Sequence, residues 1–167
     1  MATELKTLRD AFVDELRDAY DFEQQLLIAL PTVAAAAEHR DLRSALEDHL
    51  IETRAQVERL TTVFGLLGET PQRKHCVGMA GILDEGSEVV EDDSYAPQTK
   101  DACLIAGCQR VEHYEIAVYG TLVAWAQMLD LNEVEGLLQH TLDEEEAADA
   151  ALSELAEIEI NAEAIHG

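Results

Sequence analysis

Glu23, Glu112 and Glu145 each fall on the apolar arc of a different predicted helix, and Glu52 falls at the rim of a fourth, beside His49 and Gln56. On a helical wheel of about 100° per residue, Glu112 and Glu145 lie near the middle of their arcs. His49, Glu52 and Gln56 neighbour one another along one helix face, and Glu115, one turn after Glu112, can point into the same volume. A buried carboxylate is costly unless it is protonated, paired or bound to a cation. Several converging from four helices are most simply explained by a pair of metal ions. Oxygen-rich donor sets suit hard cations, and glutamates offered by all four helices of a bundle make the di-iron or di-manganese pattern. Two bridged metals can share the electrons that reduce oxygen or peroxide, and the second balances charge that one would leave uncompensated.

The expected metal ligands are therefore Glu23, Glu52, Glu112, Glu115, Glu145 and His49, with Glu112 and Glu52 as bridges and Glu23 and Glu145 as terminal ligands. His49 and Gln56 also read as partners that orient a ligand rather than bind the metal. Glu15, on the same arc as Glu23, is its rival. Tyr119 reads as a core tyrosine with a bonded hydroxyl. Asp149, Glu144, His113 and His140 read as surface or rim residues, and Trp125 and Phe12 as packing. With 35 acids in the chain, some fall on apolar arcs by chance, as paired or locally solvated groups. Di-metal bundles commonly repeat Glu-x-x-His on two helices. Here that spacing occurs only at Glu163 to His166, at the C-terminus, where it reads as accidental, so the centre is poor in nitrogen.

The elements that must position these groups are helices. Over 4–30, Leu5, Leu8, Phe12, Leu16, Ala19, Glu23, Leu26 and Leu30 keep a helical spacing. Pro31 kinks or ends that helix, although the alanine run to Ala37 can continue it. A second helix spans 42–67 on Leu42, Leu46, Leu50, Thr53, Val57, Leu60, Phe64 and Leu67. Residues 72–99, broken by Gly78, Gly81 and Gly86, read as one short helix between two loops, long enough to let the flanking helices run parallel. A third long helix covers 100–129, centred on Ile105, Gln109, Glu112, Ile116, Tyr119 and Val123. A fourth covers 132–160, with Val134, Leu138, Thr141, Glu145, Ala148, Leu152 and Leu155. The short link between the last two makes them antiparallel neighbours. No strand pattern appears. The expectation is an all-α, ferritin-like four-helix bundle with a short extra helix in the second crossover, as a single domain over 1–167.

Composition narrows the function classes. The net charge is −24, from 35 acids against 11 bases, spread along the whole chain. Such a surface repels nucleic acid and anionic membranes. Few lysines (Lys6, Lys74, Lys100) and an acidic shell suggest a halophilic source. No apolar run reaches the roughly 18 residues of a membrane span. The start MATELKTLRD lacks a signal peptide's apolar centre, which points to the cytoplasm. Cys76, Cys103 and Cys108 form no CxxC pair and read as reduced thiols.

Several segments resemble the YciE/YciF stress-protein family of ferritin-like domains: ELRDAYDFEQQLLIALP (15–31), HLIETRAQVERLTTVF (49–64), QRVEHYEIAVYGTL (109–122) and TLDEEEAADAALSELA (141–156). RVEHYEIAVYG is the most specific part. The positions that carry over are Glu15, Glu23, His49, Glu52, Gln56, Glu112, Glu115 and Glu145. KHCVGMAGILDEG (74–86) is similar to the family's glycine-rich crossover, with Ala80 where an acid is expected. The resemblance implies a fold similar to rubrerythrin's di-iron domain, a homodimer and a link to stress. Two readings follow. One is a protein binding two iron or manganese ions, with reduction of peroxide or oxygen as the chemistry. The other is a non-enzymatic bundle dimer that serves as a stress-related interaction protein and keeps an empty or vestigial site. Cage-type iron storage is a third and would need a large shell.

Overall fold

The computed structural model describes residues 6–165, and every regular element among them is helical. Helix α1 spans Leu8–Ala36, α2 Arg40–Leu67, α3 Val77–Glu91, α4 Pro97–Met128 and α5 Asn132–Leu155. A π-helical segment, Ala156–Ile160, and a last turn, α6 (Asn161–Ala164), prolong α5. Leu5 and His166 lie outside the described residues. Among the described residues, no helix is long and apolar enough to cross a membrane.

Local chemistry sets the helix limits. Thr7 caps α1 by accepting from the Asp10 N–H at 3.1 Å, while the Asp10 carboxylate accepts from the Thr7 N–H at 2.9 Å. Helix α2 ends on Gly68, whose φ of 71° is the left-handed conformation that glycine adopts without strain. Pro97 opens α4, where its missing N–H would have had no partner in any case. Pro31 does not end α1. Its ring sits on the exposed side, so the carbonyl left without a donor can turn to water. Burial of Leu30, Ala34 and Ala37 on the inner side holds the last turns in place.

The long helices neighbour one another in a cycle, α1 to α2, α2 to α5, α5 to α4 and α4 back to α1. Short connections make α1 and α2, and α4 and α5, antiparallel. Cross-helix bonds give the remaining directions. Glu38 bonds Asp101 and Glu23 bonds Tyr119, so α1 and α4 run antiparallel. Gln56 bonds Glu145 and Arg59 bonds Thr141, so α2 and α5 do too. Helices α2 and α4 therefore run parallel, joined by the segment that contains α3, as the sequence led one to expect. Helix α3 packs on α1 and α4.

Two buried aspartates staple the connections. Asp21 accepts from the Cys76 N–H at 2.9 Å, from Arg73 Nε at 2.7 Å and from Gln25 at 2.7 Å, fixing the α2–α3 loop onto α1. Burial alone would raise its pKa, but these donors outweigh burial and hold it below the ordinary value. Asp101, 3% exposed, accepts from the backbone N–H groups of Glu38 and His39 at 2.9 and 2.8 Å, tying α4 to the α1–α2 turn. Asp101→Ala leaves both donors without an acceptor. It is expected to lower unfolding free energy in urea by about 2–4 kcal/mol, with Asp101→Asn losing roughly half as much.

Candidate metal centre

Helix α2 buries Leu42, Leu46, Leu60, Phe64 and Leu67 of its marked stripe, but its middle is buried through polar residues. Leu50 and Val57 are only half-buried, while His49, Thr53 and Gln56 are buried. Over this middle stretch the inner arc is polar, which is stable only if the space it faces is itself polar. Helix α4 repeats the pattern: Glu112 and Glu115 are 2% and 0% exposed, whereas Gln109 and Ile116 are half-buried. Helix α5 adds Glu145, 0% exposed, and α1 adds Glu23, 0% exposed.

His49, Glu112, Glu115 and Glu145 each offer one ligand atom to a common volume, with those atoms within 4.8 Å of one another. His49 Nε2 lies 3.5 Å from Glu112 Oε1 and 3.9 Å from Glu145 Oε2. Glu23 borders this group, and its Oε1 accepts a short hydrogen bond from the Tyr119 hydroxyl. Glu52 stands at the rim, its side chain 45% exposed and its Oε2 3.6 Å from His49 Nδ1. Glu15 is half-buried elsewhere on α1, with Asp18, Asp14 and Lys74 as its charged neighbours. Of the two rival carboxylates of α1, only Glu23 adjoins the cluster.

Tyr119 is a fully buried tyrosine with a bonded hydroxyl, as expected, and Phe22 packs edge-on against its ring at 5.9 Å. His113 and His140 are 69% and 64% exposed, and they pair with Asp149 and Glu144. Arg59 was not anticipated. It grips Glu144 at 2.8 and 3.0 Å and Thr141 at 2.6 Å. Glu144 in turn accepts from Gln56 Nε2 at 3.1 Å, and the same nitrogen donates to Glu145. Gln56 is thus fixed with Oε1 buried and without a donor. The available signal was spacing: Arg59 follows Gln56 by one turn, and Glu144 adjoins Glu145.

The electrostatics are those of carboxyl groups crowded together out of water. Burial pushes Glu23 up to about 8, against the pull of the Tyr119 hydroxyl. Burial, then Glu145, Glu23 and Glu112, push Glu115 well above the ordinary carboxylate range. Burial, then Glu23 and Glu112, raise Glu145 as well. Glu112 is raised by burial, with His49 opposing. For His49, burial favours the neutral form, but Glu52, Glu112 and Glu23 outweigh it and raise the pKa.

Whether these residues fit a metal can be judged from their unused atoms. Glu23 Oε2, both nitrogens of His49, Gln56 Oε1, Glu112 Oε2, both oxygens of Glu115 and Glu145 Oε2 are buried without a hydrogen-bond partner. Buried polar atoms are nearly always bonded, so such a concentration calls for a ligand. The donors are one imidazole and otherwise oxygen, a set that fits iron(II) or manganese(II). A cleft of ≈ 260 Å³ between α2 and α5 reaches His49 and Glu112 from solvent past Asp48, Glu52 and Glu144.

Long helices in a cycle around a buried histidine–glutamate cluster define a helical-bundle protein with a site that could hold metal. The chain belongs to the family described as a domain of unknown function, DUF892, whose model matches residues 7–165. It is 40% identical over 161 residues to Protein YciF of Escherichia coli K12, covering 96% of each chain. The crystal structure of the E. coli stress protein YciF superposes with a TM-score of 0.87 at 41% identity, over 91% of this chain and 96% of that one. YcfI of Rhodopseudomonas palustris gives 0.88 at 40% identity, over 92% and 97%. A Xanthomonas campestris protein, 23% identical, shares the fold at 0.70, over 90% of each chain. The family resemblance read from the four quoted segments is borne out.

Proposed function

We propose that this chain is a ferritin-like four-helix bundle, a single domain, that holds two iron or manganese ions between His49, Glu112, Glu115, Glu145 and Glu23. The single observation that carries the reading is the set of buried oxygens and nitrogens without partners at one level of four helices. Charge supports it. Ionised Glu23, Glu112, Glu115 and Glu145 would together carry four negative charges, which two divalent ions balance. Glu112, 3.5 Å from His49 and in one cluster with Glu115 and Glu145, would be among the residues that hold both ions. Glu52 has the position of an outer ligand that can swing in from the rim.

Two such ions, when bound, supply the electrons for reducing peroxide or oxygen. The protein's own contribution is positional. Arg59 and Glu144 hold Gln56, Gln56 holds Glu145, and Tyr119 holds Glu23 with a hydroxyl that donates a hydrogen bond to Oε1. The name of the E. coli relative supports a role in stress. A homodimer, a cytoplasmic location and a saline habitat belong to the same proposal.

Metal analysis of the purified protein tests it, with anomalous scattering at the iron and manganese edges to place the ions. The expected result is about two ions per chain beside Glu112, the di-metal stoichiometry of such bundles. A stoichiometry near zero after loading with either metal would overturn the proposal and favour a non-enzymatic bundle.

A further inference from the structure

Helix α3 packs on α1 and α4 with Met79 fully buried, but its apolar side is not covered along its whole length. Its inner residues Ile82, Leu83, Val89 and Val90 pack against the core but stay half-buried, and with α1 and α4 they line a cavity of ≈ 270 Å³ that is partly open to solvent. Leu26, Leu30 and Val33 of α1 and Leu104, Cys108 and Val111 of α4 make the other walls. Glu112 lines this cavity as well as the acidic cleft between α2 and α5, so the candidate centre is bordered from two sides by spaces of opposite character. Two mid-helix glycines, Gly86 of α3 and Gly107 of α4, line the apolar cavity, and a Cβ added at either would meet nothing within 4 Å. A glycine inside a helix weakens it relative to alanine. Here both glycines leave room that ordinary side chains would fill.

We propose that this cavity binds an uncharged apolar molecule of one or two rings, or an alkyl chain of similar bulk, next to Glu112. Size sets the class. A dry apolar cavity of roughly 150 Å³ holds one benzene, so this one suits a molecule about the size of naphthalene. Polarity sets the charge. The walls are mostly aliphatic, with Thr32, Ser87, Glu91, Arg110 and Glu112 among them, and the protein's charge of −24 opposes an anionic ligand. Arg110, at the margin, is engaged by Glu85 at 3.8 Å. Binding itself does not depend on metal. Its use as a substrate pocket rests on the metal-centre reading, which puts a reactive ion beside the cavity.

The experiment titrates the metal-free, full-length protein with naphthalene and follows backbone amides by ¹H–¹⁵N NMR. Saturable shifts are expected at 26–33, 82–91 and 103–111. Gly107→Leu and Gly86→Leu, which fill the cavity from different helices and replace a weak helix former, should each weaken binding at least about tenfold while keeping the thermal midpoint. The anion 2-naphthoate should bind at least about tenfold more weakly than naphthalene. Absent or unsaturable shifts, shifts centred on other segments, or equal affinity in wild type and both leucine variants would overturn the proposal. So would naphthoate binding as well as naphthalene, or the cavity amides being buried between two copies of the chain. Manganese stoichiometry on the same samples reports the centre separately. Naphthalene binding with no manganese uptake defeats only the metal reading, and the converse defeats only this one.

Discussion

Manganese(II) or iron(II), added anaerobically in excess to the metal-free protein, is expected to raise its thermal midpoint by roughly 10–20 °C. The size follows from linkage. A ligand that binds only the folded state at a hundredfold its dissociation constant adds about 2.7 kcal/mol, so two ions add about 5 kcal/mol. In a chain of this length each kcal/mol moves the midpoint by roughly 2–4 °C. The increment is large because the native cluster is poorly satisfied without metal: buried oxygens of Glu112, Glu115 and Glu145 have no donor. The double variant Glu112→Ala/Glu145→Ala removes the candidate bridge and one wall of the site. Its midpoint should respond by less than about 3 °C, the level expected of weak surface binding. Calcium offers a control, since a site with an imidazole and few carbonyls favours transition metals. An unchanged midpoint with iron and manganese in the wild type, measured by scanning calorimetry, would leave the non-enzymatic bundle as the better account.

How much of this was legible in the sequence follows from what each helix buries. Glu112 and Glu145 stand at the centre of apolar arcs, so the packing that hides their neighbours had to hide them. Helix α2 was less transparent. Leu42, Leu46, Thr53, Leu60, Phe64 and Leu67 of its stripe are buried as expected, but Leu50 and Val57 are only half-buried because the positions beside Thr53 went to His49 and Gln56. Periodicity reads hydrophobicity, and a polar interior weakens that signal where the site lies. The choice between Glu15 and Glu23 was closed to one-dimensional reading for a different reason. Both share an arc of α1, and they are told apart by the returning α2–α3 loop, which brings Lys74 to Asp14 at 2.7 Å near Glu15. Arg59 was hidden because a charge at a helix rim looks solvated until its partner, Glu144, is known to stand beside it. The cavity under α3 depends on how far one helix stands from two others, which no spacing rule encodes.

Stability of the metal-free protein should fall as pH rises from 5 to 8, by roughly 3–5 kcal/mol in urea titrations. Glu23 is raised to about 8 by burial, and Glu115 and Glu145 are raised by burial and by one another. Each therefore binds its proton more tightly folded than unfolded. Their cost is absent below the unfolded carboxylate value and grows as pH climbs toward the folded one. His49 acts in the same direction: its folded pKa is raised, so its contribution is present at low pH and lost as pH rises through that value. The depressed carboxylates Asp21 and Glu144 contribute stability that is lost only on acidification below their ordinary range, so they leave this window clear. Glu115→Gln separates the cluster from the general repulsion of an acidic shell. It keeps the shape, removes a carboxyl that folding must hold protonated above its ordinary range, and should flatten the slope and stabilise the metal-free protein at pH 8 by about 1–3 kcal/mol. The same variant should lose most of the metal-induced rise, because the ions need a carboxylate there, a charge that burial alone disfavours. Bound metal displaces these protons, so in the loaded wild type the metal's increment should grow with pH. Metal-free stability that increases between pH 5 and 8, or a Glu115→Gln slope equal to the wild type's, would show that these carboxylates are solvated and not confined together.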